Sequence, residues 1–269
     1  MKSNGQQTYR PGPELQRPLP ACTWYHSTWK RAFDVVAATL LLILLLPLML
    51  LVALVVKLTS PGPVLFRQRR PGQGGREFYI LKFRTMIDGG HRAGPAFTRP
   101  CDPRITPCGN FMRKWKLDEL PQLLNVIRGQ MSFVGPRPLP SSHWEQAMLL
   151  EDAACVLSVR PGITSEVTLN FRNEEQLLSA VGSEEVGHLY LTGILPLKME
   201  MEARALQNGS FGRDLRIMLK TVLRVFRQRG VGEEQVIRER LLGIQAEPYA
   251  SLREPVQQEE FEPASEPGD

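Results

Sequence analysis

The chain has 269 residues, enough for one good-sized domain with appendages, and its 42% hydrophobic content is ordinary for a globular protein. The formal net charge of +5 is unevenly spread, because residues 245–269 carry −6 and the remainder therefore carries +11. Such an excess points toward anionic partners such as phosphates or acidic lipid headgroups. Nucleic acid is not expected, since no helix-turn-helix, zinc or aromatic RNA-binding pattern accompanies the charge.

The first two predicted segments are a polar tail, residues 1–29, and a membrane helix, residues 30–58. Within the helix, residues 35–56 form a run of 22 residues without a charge. At about 1.5 Å per residue this run reaches roughly 33 Å, enough to cross a hydrocarbon core. Both flanks are basic, and Pro47 falls near the middle, where it removes a backbone hydrogen bond. The pattern therefore leaves both a straight crossing and a helix that returns to its own face open.

Residues 59–230 are predicted to form the main soluble domain. Two short strands, 64–68 and 77–83, flank a glycine-rich turn, and a glycine-rich loop follows at 88–100. Lys82 and Arg84 stand on either side of Phe83, so both are expected on one face of an extended segment. Further on, helical patterns cover residues 110–116, 143–157 and 193–225, the last as two stretches. Residues 231–269 are predicted to be an acidic, disordered tail.

The most informative stretch is residues 117–138, LDELPQLLNVIRGQMSFVGPRP. Asp118 is a suitable N-cap for a helix of apolar residues at helical spacing that ends at Gly129. Two adjacent carboxylates, Asp118 and Glu119, would then lie at a helix N-terminus. Many cations surround them, namely Arg104, Arg113, Lys114, Lys116, Arg128 and Arg137.

This combination suits a diphosphate substrate. One carboxylate can attack phosphorus while the other holds a divalent cation that neutralises phosphate oxygens. Arg137 lies in the proline-stiffened segment GPRP, and an arginine fork matches phosphate oxygens well. From the residues alone, a capped helix with a solvated polar face remains the alternative, because acidic N-caps are common.

A long motif resembles a known family. Residues 102–140, DPRITPCGNFMRKWKLDELPQLLNVIRGQMSFVGPRPLP, look like the signature of bacterial polyprenyl-phosphate sugar-1-phosphate transferases, the monotopic phosphoglycosyl transferases. Further matches are KRAFD at 30–34, SPGPVLFRQRRPGQGGREFYILKFRTM at 60–86 and RPGIT at 160–164. Together these matches extend over most of the chain between residues 30 and 225.

The resemblance implies a mainly helical α/β domain with a small sheet, a re-entrant membrane helix and amphipathic helices at the interface. It implies transfer of a sugar-1-phosphate from a UDP-sugar to undecaprenyl phosphate through a phosphosugar-aspartate intermediate, with release of UMP. It places this initiating step of exopolysaccharide, O-antigen or glycan assembly at the cytoplasmic face of the bacterial inner membrane. Membrane lipids are further expected partners, and a homo-oligomer is left open.

The resemblance also assigns roles to residues. Asp118 is the expected nucleophile, Glu119 the expected Mg²⁺ ligand, and Pro47 the expected break of the membrane helix. The residues expected to bind substrate phosphates are all cations: Arg113, Arg137, Lys82, Arg84 and Arg104.

Two departures from the family pattern limit what it implies. Leu46 stands where members often have serine before the proline, so a straight span stays open. After RPGIT the chain reads SEVTLNFRNEEQLL at 165–178 instead of the commoner continuation, which leaves the sugar undetermined. A non-catalytic membrane adaptor and a single-span scaffold that binds acidic lipids are the alternative classes of function.

Overall fold

The computed structural model describes residues 23–90, 102–140, 143–171, 187 and 190–226. Several sequence predictions fall largely outside these residues: the polar tail at 1–29, the loop at 88–100 and the acidic tail at 231–269. The predicted segment boundaries at residues 29, 58 and 230 stay predictions.

Most of the described chain is helical. The helices are α1 Thr23–His26, α2 Thr28–Thr59, α3 Pro107–Lys114, α4 Gln122–Ile127, α5 Trp144–Met148, α6 Ala153–Ser158, α7 Glu166–Asn170, α8 Leu195–Gln207 and α9 Phe211–Phe226. A 3-10 turn at Leu117–Glu119 precedes α4, and a π-helical turn at Tyr190–Ile194 runs into α8. The mainly helical α/β architecture predicted from the sequence is confirmed.

Two small strand pairs complete the fold. Strands β1 Leu65–Pro71 and β2 Glu77–Phe83 form an antiparallel hairpin, close to the predicted bounds. Strands β3 Ser132–Val134 and β4 Gly162–Thr164 pair in parallel, although 27 residues separate them along the chain. This second pair brings the GPRP and RPGIT motifs side by side.

Helix α2 is an integral part of the packed core. Ser27 caps it by accepting a hydrogen bond from the Lys30 backbone amide at 3.1 Å, and the helix continues through Pro47. One face is buried at Ala38, Val52 and Val56, where it packs against β2, β3, α3 and α4. The other face exposes leucines and other apolar residues, and α2 is the one described helix long and apolar enough to cross a membrane. The break predicted at Pro47 stays a prediction.

A buried ionic network fixes the first turns of α2. Lys30 Nζ lies 3.0 Å from Asp34 Oδ1 and 2.9 Å from Asp214 Oδ2 of α9, and Trp24 Nε1 donates to the same Asp214 oxygen at 2.9 Å. All three charged residues are at most 2% exposed. Lys30 is therefore a core residue whose charge is compensated by two carboxylates.

The structure corrects one prediction of local structure and refines another. Asp118 does not cap a helix, because it lies inside the 3-10 turn and α4 begins only at Gln122, after Pro121. Proline suits a first helical turn, and here it sets the start of α4 itself. The helical pattern at 143–157 is divided between α5 and α6 by a turn at residues 149–152.

Candidate active site

The chain reaches the two carboxylates through an unusual turn. Helix α3 is capped by Thr106, whose hydroxyl accepts from the Gly109 amide at 2.9 Å, and it ends at Lys114. Lys116 then adopts the left-handed conformation with φ of 57°, which is uncommon for a residue with a side chain. Such conformations persist only where the surroundings enforce them, and they concentrate at functional sites. This turn directs the side chain of Asp118 inward.

Asp118 is buried and incompletely satisfied. It is 7% exposed, and within the described residues its Oδ1 atom has no hydrogen-bond partner. Burial raises the pKa of the Asp118 carboxyl, the neighbouring Glu119 charge raises it further, and Lys82, Lys116 and Arg113 oppose this rise. A buried acceptor without a partner is rare in folded proteins and calls for a functional explanation.

Glu119 has the opposite environment. Its Oε1 accepts from Lys82 Nζ at 3.0 Å and from Arg137 Nη2 at 2.8 Å. Burial raises the pKa of Glu119, but the charges of Arg137, Lys82 and Lys116 outweigh it and hold the pKa well below its usual value. Glu119 is thus ionised and joins two of the cations that the sequence assigned to phosphate binding.

Arg137 is positioned by the contact between two loops. The Gly135 amide donates to Thr164 O at 3.1 Å, and the Gly162 amide donates to Pro136 O at 2.8 Å. The two glycines allow this approach, because a Cβ built on Gly162 would lie 2.2 Å from the Gly135 nitrogen. GPRP and RPGIT therefore act as one structural unit that carries the arginine.

Glu202 supports this loop from behind and was missed by the sequence analysis. Its carboxylate accepts from Ser165 Oγ at 2.7 Å and from the backbone N–H of Arg137. Burial raises the pKa of Glu202 to about 7, although the hydrogen bonds and the charge of Lys198 lower it. The only sequence signal was its place in the segment LPLKMEME, which gives no indication of contact with residue 137.

Arg70 is a second residue that the sequence analysis did not assign to the site. Its Nη1 donates to Pro138 O at 3.1 Å, next to Arg137. Burial and the charge of Arg137 lower the pKa of Arg70 to about 10. Arg70 thus adds positive charge beside the GPRP loop and holds the far end of that loop in place.

The other predicted phosphate ligands differ in their surroundings. Arg113 donates from Nε to Thr85 Oγ1 at 3.0 Å, and its charge reaches both Asp118 and Asp102. Arg104 forms a close ion pair with Asp102, with Nη2 2.6 Å from Oδ2, and this pairing lowers the pKa of Asp102 to about 2. Arg104 is therefore largely neutralised by its own neighbour.

Lys82 pairs with Glu119, whereas Arg84 points to the end of α2. Its Nη2 donates to the backbone and side-chain oxygens of Ser60, at 2.8 and 2.9 Å. A Cβ on Gly62 would lie 2.5 Å from Arg84 Nη1, so the SPGP segment makes room for this side chain. The Nε and Nη1 atoms of Arg84 are buried and have no hydrogen-bond partner within the described residues.

The carboxylates offer a limited set of metal ligands. Among the described residues no group of three or more histidine, cysteine, aspartate or glutamate side chains is placed to hold a metal ion. Mg²⁺ commonly uses one or two carboxylates together with substrate phosphates and water. Lys82 and Arg137 both pair with Oε1 of Glu119, so the other oxygen of this carboxylate fits that donor set.

Comparison with known proteins places this arrangement in a family. Residues 25–228 match the family described as bacterial sugar transferase. The chain is 40% identical over 216 residues to the UDP-glucose:undecaprenyl-phosphate glucose-1-phosphate transferase of Caulobacter vibrioides. The aligned residues cover 80% of this chain and 74% of that protein. It is 37% identical over 218 residues to exopolysaccharide production protein ExoY of Rhizobium meliloti, covering 75% and 87% of the two chains.

A third relative is longer. The protein of Escherichia coli K12 with the same name as the Caulobacter relative is 38% identical over 199 residues, which cover 73% of this chain and 40% of that protein. The family match, residues 25–228, includes the two carboxylates and the loops that surround them. The chain is therefore a phosphoglycosyl transferase of the bacterial sugar transferase family.

Proposed function

We propose that the protein transfers a sugar-1-phosphate from a UDP-sugar to undecaprenyl phosphate and releases UMP, as an initiating step in exopolysaccharide or related glycan assembly. The observation that carries the proposal is the buried Asp118 oxygen without a partner, beside a Glu119 that two cations hold ionised. The names of the Caulobacter and Escherichia relatives, which specify glucose-1-phosphate transfer to undecaprenyl phosphate, support the substrate class.

In the first half-reaction Asp118 attacks the phosphorus bonded to the sugar. A bond forms between Asp118 Oδ1 and that phosphorus, the bond to the bridging oxygen of the diphosphate breaks, and UMP leaves with the electron pair. In the second half-reaction an oxygen of the lipid phosphate attacks the same phosphorus. The aspartyl bond breaks, Asp118 regains its carboxylate, and the sugar is left on a lipid diphosphate.

The surrounding cations have two tasks. Lys82, Lys116 and Arg113 lower the pKa of Asp118 against the effect of burial, and so favour the ionised nucleophile. Arg137 presents a guanidinium at the exposed side of Glu119, where it can bind phosphate oxygens of the donor. Because the GPRP loop is fixed to β4 and Glu202, this guanidinium is in place before the substrate arrives.

Mg²⁺ is the expected cofactor. Glu119 and the phosphate oxygens of the donor would hold it, and when bound it would neutralise charge on those oxygens. Lys82 would remain beside Glu119 and keep its carboxylate ionised.

The proposed location is the cytoplasmic face of the bacterial inner membrane, with α2 as a re-entrant anchor. Both ends of α2 contact the same domain, Lys30 through Asp214 and Ser60 through Arg84. Apolar residues around the middle of the helix, such as Leu44 and Leu46, are exposed. Anchoring of this kind keeps the active site at the headgroup plane, where a water-soluble donor can meet a lipid acceptor.

The test is the intact mass of the purified protein in detergent after incubation with Mg²⁺ and a panel of UDP-sugars, without lipid acceptor. We expect a gain equal to one phosphosugar, which also names the sugar, and the loss of this gain in Asp118→Asn. Glu119→Gln should retain the fold and weaken the dependence of turnover on Mg²⁺. Near-normal turnover by Asp118→Asn would refute the assignment of the nucleophile, and an unchanged Mg²⁺ titration would remove Glu119 from the metal site.

A further inference from the structure

A second basic site lies along α9, and none of its lining residues belongs to the candidate active site. It is a cleft of about 630 Å³ between α7, α9 and the α8–α9 connection. Four cations, Arg213, Arg216, Lys220 and Arg224, line it together with one acid, Glu166. We call it the basic cleft.

The cations of the basic cleft fall into two pairs. Arg213 is tied to Ala205 O at 3.0 Å and to the Glu166 carboxylate, and Arg224 donates to Leu169 O. Arg216 and Lys220 are exposed, and in the part of the chain that the structure describes neither forms a hydrogen bond or an ion pair. The cleft therefore keeps uncompensated positive charge on two side chains one turn apart, an arrangement that disfavours an isolated helix.

Helix α9 divides into three sectors around its axis. With about 100° between successive residues, the buried sector centres on Asp214 and Ile217. A second sector is exposed and apolar. The third sector carries Arg216 and Lys220 and lies between the apolar sector and the buried sector. The exposed apolar sector consists of Phe211, Leu215, Leu219, Val222, Leu223 and Phe226.

We propose that the basic cleft binds the headgroup of an anionic phospholipid, with the acyl chains along the apolar sector of α9. The inference rests on the proposed membrane location of the enzyme. A phospholipid supplies both an anion for Arg216 and Lys220 and apolar chains for the neighbouring sector, which a free phosphate lacks. The acidic segment 245–269 is an alternative occupant, since it carries negative charge for the basic cleft. It is polar and rich in proline, however, so it does not match the apolar sector.

The basic cleft is connected to the active site through β4. Thr221 of α9 and Thr164 of β4 share a hydrogen bond of 2.8 Å, and Thr164 O accepts from the Gly135 amide at the start of GPRP. A lipid bound in the cleft would fix α9 at the headgroup plane and thereby orient the strand pair that carries Arg137.

The test uses native mass spectrometry of the full chain, released from detergent in the presence of phosphatidylglycerol or phosphatidylcholine. We expect one phosphatidylglycerol to be retained with preference over phosphatidylcholine. The double variant Arg216→Gln/Lys220→Gln should weaken this retention at least about tenfold. The matched control Arg76→Gln/Arg128→Gln removes two exposed cations elsewhere and should leave it unchanged.

Four results would overturn the inference. Equal retention of both lipids, or retention unaffected by the double variant, would show that the cleft does not select anionic headgroups. Displacement of the lipid by millimolar inorganic phosphate would assign the cleft to a free anion. Displacement by stoichiometric polyprenyl phosphate, with a raised KM for that acceptor in the double variant, would assign it to the substrate.

The same samples separate this inference from the proposed function. In detergent without anionic lipid, the double variant should form the phosphosugar adduct as the parent protein does, because neither residue touches the carboxylates. Adduct formation without lipid selectivity would refute the basic cleft alone. Lipid selectivity without adduct formation or UMP release under any condition would refute the proposed function alone.

Discussion

At the residue scale, one set of cations acts on two adjacent carboxylates with different results. Asp118 is buried without compensating hydrogen bonds to Oδ1, so burial and the charge of Glu119 raise its pKa. Glu119 binds Lys82 and Arg137 directly, so its pKa lies well below its usual value. Divergent pKa values in a pair of carboxylates are typical of a site that gives each one a different chemical task.

Replacing Lys116 should change the pH dependence of turnover. Lys116 lowers the pKa of Asp118, so Lys116→Asn should raise this pKa and move the acid limb of kcat/KM to higher pH. Asparagine tolerates the left-handed backbone at this position, which separates the charge effect from strain. The measurement is a pH profile between pH 4 and 8.

The control is Lys114→Asn, which removes the same charge from an exposed residue that does not act on Asp118. An acid limb that moves equally in both variants would attribute the shift to net charge and not to Lys116.

Glu202 should make the stability of the protein depend on pH near neutrality. Its folded pKa of about 7 exceeds the ordinary 4.5, so its contribution is complete below pH 4.5 and is lost as pH rises through 7. The loss amounts to about 3 kcal/mol at most. Glu202→Gln keeps an acceptor for Ser165 and cannot ionise, so its melting temperature should fall less than that of the parent protein between pH 5 and pH 8.

Glu200→Gln is the control for this comparison, since Glu200 lies on the same helix with its side chain 44% exposed. Parallel melting curves for Glu202→Gln and the parent protein across this pH range would rule out Glu202 as the titrating group.

The structure groups several of the predicted site residues and adds supporting residues that the sequence did not indicate. Asp118, Glu119, Lys82 and Arg137 lie together, and the roles assigned to them stay predictions. Glu202 is 65 residues from Arg137 along the chain, and its contact with that loop depends on packing of α8. Local patterns carry no information on such long-range contacts.

At the element scale, the parallel pair β3 and β4 is the part that positions the GPRP loop. Gly162 should be intolerant of a side chain, because its Cβ would lie 2.2 Å from the Gly135 nitrogen. Gly162→Ala should separate the loops, lower the stability by about 2 kcal/mol and displace Arg137. Thermal melting, together with kcat/KM, measures both effects.

Gly212→Ala is the matched control, because a Cβ there meets nothing within 4 Å and alanine favours the helix. Its melting temperature should be unchanged or higher. A Gly162→Ala protein as stable and active as the Gly212→Ala protein would contradict the close approach of the two loops.

Element boundaries show where sequence patterns are reliable. The hairpin of β1 and β2 and the amphipathic helix α9 follow from alternation and helical periodicity, and both were predicted. The turn at Leu117–Glu119 was not predicted, because an aspartate before an apolar run has the same sequence pattern whether it caps a helix or enters the core. The left-handed Lys116 that decides between them has no sequence signature.

At the scale of the whole molecule, a highly apolar helix is both part of the core and exposed. Helix α2 contributes Ala38 and Val56 to packed clusters, while many of its leucines face outward. Exposed apolar surface on α9 and at Phe111 adds to it. Exposed apolar surface of this kind is typical of protein–protein or membrane contact sites, and it supports the proposed membrane association.

Labelling of single cysteines should decide the orientation of α2. His26→Cys and Lys57→Cys, each in a background without native cysteines, place exposed thiols near opposite ends of the helix. In inside-out membrane vesicles, a re-entrant helix exposes both positions to a membrane-impermeant maleimide. Labelling of only one position until the vesicles are opened would show a straight crossing.

The network of Lys30, Asp34 and Asp214 also bears on how the protein is made. A ribosome adding about 5–20 residues per second needs roughly ten to forty seconds to proceed from Lys30 to Asp214. During that interval Asp34, one turn away on the same helix, is the one carboxylate partner in this network that has already been synthesised. The buried network that fixes the start of α2 can therefore be completed only when α9 has been synthesised.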